Sequence, residues 1–245
     1  RGDVGMLAQP SAAVIGAQDV RAETASFAYE LATLLAEEGW VVVGGLDMGV
    51  VQAIFDGALS AAGGQTVAVL PMGISTFLNS PGEAGGQQSG ALLLSPFHPD
   101  AKFNEAQALA RNKLIVGLAE ALFVVAASET GGVREAADEA LRLGKAVYVW
   151  DVDPAVEPTA TGHQALIEAG ALPITGLPDI LDALEAVVTT ALELEEEPEP
   201  LPAALPPPTV QEENVETPFD RQAALDLLSR AGRVPESLAR RLRGD

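Results

Sequence analysis

Arg111, Asn112 and Lys113 stand together in a chain whose first 192 residues hold only 8 bases, with Lys102 a short way upstream. A guanidinium forks onto phosphate oxygens, and an ammonium adds a compact positive charge. An asparagine amide between them either reads a base edge or ties down a loop. A second set of candidates is rich in glycine: Gly16, the run Gly44-Gly45-Leu46-Asp47-Met48-Gly49, Gly73, and Thr130-Gly131-Gly132. Glycine lets backbone amides come close to a ligand, and a helix that starts just after such a turn adds its positive end. The chemistry shared by the two sets is anion binding, of phosphate above all. The spacing is neither G-x-G-x-x-G nor a P-loop with a following G-K-S or G-K-T, so a standard dinucleotide or P-loop site is not expected.

Other residue types carry less. His98 and His163 are the only histidines, no ligand spacing joins them, and there is no cysteine, so no metal and no cofactor are expected. Ser95 near His98 has the types of a nucleophile and a base, but three residues apart on a loop they read as a turn. Glu129, Glu135, Asp138 and Glu139 follow the last glycine pair, where a helix dipole attracts acids anyway. No catalytic residue is assigned.

The elements that must position these residues alternate. Strands are predicted at 11–16, 40–44, 65–70, 91–95, 122–126 and 146–150, with a short one in Ala171-Leu172-Pro173-Ile174-Thr175. Helices are predicted at 21–38, 49–62, 102–119, 133–143, 161–169 and 178–192. The strands are apolar on both faces, as in a parallel sheet covered on both sides. Strand–helix alternation with short connections gives an α/β, doubly wound, mostly parallel Rossmann-like sheet. In such a sheet ligands lie beyond the carboxyl ends of the strands, where the strand order reverses. Every glycine turn named above falls at such an end.

Composition sets the outer limits. With 48% hydrophobic residues and 20% charged, the chain has the apolar surface to fold. The formal net charge is -21, unevenly spread. Residues 1–192 carry 8 bases against 23 acids and form the predicted Rossmann-like domain. Residues 193–218 carry 8 acids, no base and many prolines, and read as a disordered acidic linker. Residues 219–245 carry 6 arginines against 4 acids, with Ala224, Leu225, Leu227 and Leu228 at helical spacing, and read as a short helical tail. The chain begins at Arg1, shows no charged-then-apolar leader, and has no apolar run near the roughly 20 residues that a bilayer requires. The expectation is a cytoplasmic protein that does not enter a membrane.

Five blocks in order resemble the DNA-processing protein DprA/Smf family, over Ala13 to about Val149. Its first strand and turn is matched by Ala13–Gln18 (AVIGAQ), and its VVSGLARGIDAAAHRGAL block by VVGGLDMGVVQAIFDGAL without a gap. GGQTVAVLPMGI, LLLSPFHPD and ARNKLIVGLAEALFVVAA follow at family spacing, with Arg111, Asn112 and Lys113 on its R-N-R. The departures are Gln18, Met48, Val51 and Phe55, where the family has Arg, Arg, Asp and His, and Ala108 in place of a phenylalanine. The resemblance implies single-stranded DNA binding without catalysis, a homodimer, and delivery of DNA to a RecA-type recombinase during DNA uptake and recombination. A related branch, the lonely-guy phosphoribohydrolases, cleaves nucleoside monophosphates, but its P-G-G-x-G-T-x-x-E loop is absent here.

Charge weighs between the readings. Single-stranded DNA is held by bases and by aromatic stacking. This chain is acidic and only 4% aromatic, which predicts modest affinity and steep salt sensitivity for DNA. The alternative is a nucleotide-binding sensor or nucleoside-monophosphate hydrolase, whose ligand amides and helix ends can hold without net charge. The expected site is Gly16, Gly44, Gly45, Gly49, Gly73, Lys102, Arg111, Asn112, Lys113, Thr130, Gly131 and Gly132.

Overall fold

A computed structural model describes residues 1–46, 49–80 and 89–196. Seven strands form one sheet: β1 (Ser11–Gly16), β2 (Val41–Gly44), β3 (Thr66–Val69), β4 (Ala91–Leu94), β5 (Ala121–Ala126), β6 (Ala146–Trp150) and β7 (Leu172–Ile174). Their order is β4-β3-β2-β1-β5-β6-β7, and every pairing is parallel. The helices are α1 (Ala22–Glu37), α2 (Val50–Ser60), α3 (Ile74–Leu78), α4 (Glu105–Leu118), α5 (Gly132–Arg142), α6 (His163–Glu168) and α7 (Leu177–Glu196).

Alternation along the strands builds core on both faces of the sheet, in three clusters, the third formed by Ala68, Ala91 and Leu93 with Phe55 and Phe77. Ala12 and Val14 of β1, with Phe123 and Val125 of β5, pack under α1, α2 and α7 through Phe27, Leu31, Ile54 and Ile180. Ala13 and Ile15, with Leu122 and Val124, pack under α4 and α5 through Ile115, Val116, Ala136 and Ala140. The central strands β1, β2, β3 and β5 are therefore buried throughout, which is why no polar alternation is visible in their sequences. Most aromatic rings serve this core: Phe27 stacks on Trp150 at 4.3 Å and Phe123 on Tyr148 at 5.0 Å.

The chain winds outward from β1 to β4 and then returns to place β5 on the other side of β1. The order reverses between these two strands, so a crevice opens at their carboxyl ends. The register also shifts there, between Ile15 and Gly16, and the Ala17 amide bonds the Ala126 carbonyl at 2.8 Å.

Two sequence expectations need amendment. Helix α7 runs to Glu196, through residues first assigned to the linker, and α3 was not foreseen. The rest of the linker, the 219–245 tail, and Asp47 and Met48 lie outside the described residues. Among the described residues, no helix is long and apolar enough to cross a membrane.

Candidate phosphate-binding cleft at the switch point

A cleft of about 310 Å³ lies at the reversal of strand order. Gly16, Ala17 and Gln18 line it from the β1–α1 turn, Gly45 from the β2–α2 loop, and Gly132 and Val133 from the start of α5. Arg111 and Asn112 of α4 reach it from beneath. Residues distant in sequence meet here because parallel strands deliver all their carboxyl-end loops to one edge of the sheet.

Arg111 is buried, with 8% of its surface exposed, and its Nη1 donates to the Val69 carbonyl of β3 at 3.2 Å. Gly45 lies directly against it, so a Cβ there would overlap the guanidinium and displace it. The guanidinium is thus wedged under the β2–α2 loop at the floor of the cleft. Among the described lining residues it is the one charged side chain. The Asn112 amide donates to the Gly132 carbonyl at 3.1 Å, so this asparagine holds the β5–α5 turn.

Several expected residues stand elsewhere. Lys113 and Lys102 are exposed and do not line the cleft. Lys113 faces α5, where Glu139 is held below its usual pKa first by a hydrogen bond from Arg142 and also by the Lys113 charge. Thr130 and Gly131 are exposed at the turn outside the lining. Gly44 pairs with Ala68 inside the sheet. Gly49 begins α2 at φ +80°, and a Cβ there would overlap the Gln18 carbonyl. Gly73 is also structural, because its amide donates to the Ala101 carbonyl at 2.8 Å.

The helix N-termini at this edge differ. That of α1 is already occupied by Glu157, which is only 1% exposed. Its carboxylate accepts from the Arg21 amide at 2.9 Å, the Thr24 hydroxyl at 2.5 Å, and the Thr159 amide and hydroxyl at 3.0 and 2.7 Å. Burial alone would raise its pKa, but these four donors outweigh burial and hold it at about 2. The position where a Rossmann fold usually meets a pyrophosphate is therefore filled by the chain's own anion. By contrast α5 starts after Gly131 with no side-chain cap, and its first-turn amides have no acceptor within the helix.

The sequence reading missed Glu157, whose role depends on a partner helix more than a hundred residues earlier. It also missed Phe103 and Leu109, which line the cleft mouth while 54% and 41% exposed. Buried His163 nearby accepts the Ala127 amide on Nε2 at 2.9 Å, and burial lowers its pKa, so it fixes the loop after β5 as a neutral ring. Ser95 donates to the Met72 carbonyl at 2.7 Å and His98 bonds the Asp100 amide, so the two form turns. Among the described residues no three acidic or histidine side chains gather as a metal centre.

Comparison with known proteins extends this geometry. A DNA processing protein DprA of Bacillus subtilis is 28% identical over 75% of this chain, and the chain spans 62% of that relative's length. The crystal structure of DNA processing protein A from Streptococcus pneumoniae superposes with a TM-score of 0.65 at 26% identity, over 74% of this chain and 64% of that one. DNA processing protein A from Helicobacter pylori, solved in a study of its single-stranded DNA binding mode, shares the fold with a TM-score of 0.67 at 24% identity, over 76% of this chain and 85% of that one. The model of the family described as DNA recombination-mediator protein A matches residues 1–185, which contain the entire sheet. On that match the chain belongs to the DNA recombination-mediator protein A family.

Proposed function

We propose that the switch-point cleft binds single-stranded DNA without catalysis, one nucleotide of the strand seated over Arg111. The carrying observation is the meeting of Gly16, Gly45, Arg111, Asn112 and Gly132 in one cleft from separate loops and one helix. The guanidinium supplies a fixed positive charge at the floor, and the α5 amides supply the donors for a phosphate. Cytoplasmic handling of incoming DNA, homodimer formation and delivery to a RecA-type recombinase complete this reading, and family membership supports them.

A second reading is favoured by one observation. About 310 Å³ suits one nucleotide, at the small end of ligand pockets, and the lining holds a single described cation. A nucleotide sensor or nucleoside-monophosphate hydrolase would need no longer track of positive charge. Thermal melts of the full chain with oligo-dT and with each nucleoside monophosphate decide between them. Stabilisation by oligo-dT alone supports the DNA reading. Stabilisation by a mononucleotide alone overturns it, and release of free base assigns the hydrolase.

A further inference from the structure

We infer that Phe103 is a stacking wall for an unpaired nucleobase, so that the cleft recognises a base as well as a phosphate. The inference rests on the reading that the cleft takes nucleic acid or a nucleotide. Its ground is the local structure that leaves this ring bare. Asn104 caps α4, its Oδ1 accepting the Gln107 amide at 2.9 Å, so Phe103 is the residue before the cap and Ala108 the fourth of the helix. Apolar residues at these two positions normally pack against each other. Alanine is too small to cover a phenyl ring, and both residues line the cleft instead.

Phe103 is 54% exposed, more than any other described aromatic; Tyr29 follows at 39%. The other described rings are buried or partly buried. An exposed phenyl on a cleft with a guanidinium at its floor matches the two faces of a nucleotide, one flat and apolar, one anionic. Leu109, also in the lining and 41% exposed, extends the apolar rim. Ala17 and Gln18 line the cleft from the β1–α1 turn.

The test uses the full chain with labelled oligo-dT and an abasic sugar-phosphate strand of equal length. Stacking one base on an aromatic changes affinity by about 5- to 150-fold. Phe103→Ala and Phe103→Leu are expected to weaken oligo-dT binding by about tenfold or more, to leave the abasic strand unaffected, and to leave the thermal midpoint unchanged. Phe103→Trp is expected to retain affinity, and its added emission, above that of Trp40 and Trp150, to be quenched by oligo-dT and not by the abasic strand. If native protein binds oligo-dT and Phe103→Ala binds it equally, this inference falls and the DNA reading stands. Equal losses for both strands make the ring a structural element and also overturn it. Failure of the native protein to bind either strand removes both. If Phe103→Ala melts early, the Phe103→Leu and Phe103→Trp pair decides.

Discussion

Arg111 joins two environments, a β3 carbonyl behind it and the cleft in front. Arg111→Ala strands the buried Val69 carbonyl and empties the space under Gly45, so a loss of about 1–3 kcal/mol in chemical denaturation is expected alongside loss of ligand. Lys113→Ala, on an exposed side chain, should shift stability by less than about 0.5 kcal/mol and leave binding nearly intact. The two therefore separate a cleft residue from a bystander in the same motif. Glu157 makes a pH prediction. Its folded pKa of about 2 lies below the ordinary 4.5, so its stabilisation is present above 4.5 and is lost as pH falls towards 2. Glu157→Gln should lower the thermal midpoint at neutral pH and flatten that acid limb in melts recorded across it.

At the scale of elements, loops are held by what they touch. Gly49→Ala forces a Cβ into a positive-φ position against the Gln18 carbonyl and should cost more than about 1 kcal/mol while disturbing two cleft loops. Lys145 ends α4 from outside, donating to the Gly117 and Ala119 carbonyls, and Lys145→Met should lose about 0.3–1 kcal/mol without affecting the cleft. The strands were legible from residue types alone, because a doubly covered parallel sheet writes itself as short apolar runs such as Ala121–Ala126. The helices were legible from periodicity, and the glycine turns fall at the edge of the sheet where the cleft lies. What the linear pattern did not separate was glycine that faces a ligand from glycine that accommodates the protein itself. Gly73 and Gly49 are explained by a loop and a carbonyl packed against them, and those neighbours come from elsewhere in the chain. Lys113 was grouped with Arg111 by adjacency, although residues two apart on a helix do not share a face. Phe103 escaped notice because its importance lies in what Ala108 fails to cover.

For the molecule as a whole, the charge of -21 and the cleft act at different ranges. Bulk charge alone predicts steep salt sensitivity, but counterion release counts only cations that meet phosphates. Arg134 is paired with Asp138 at 2.9 Å, Arg142 with Glu139 at 2.6 Å, and Lys145 is engaged by α4. Arg111 is the one cation among the described lining residues, and with one or two cations meeting the strand the log–log salt slope is only about -0.7 to -1.4. A titration of oligo-dT binding against salt reads this slope, and one several-fold steeper would place the strand on some other surface. The central claim is that the switch-point cleft is where the strand sits. Hydrogen exchange of the full chain, with and without saturating oligo-dT, tests it most directly. The account predicts slowed exchange at residues 16–19, 103–113 and 131–134, with the rest of the sheet unchanged. Protection confined to other segments, or none at saturation, would contradict it.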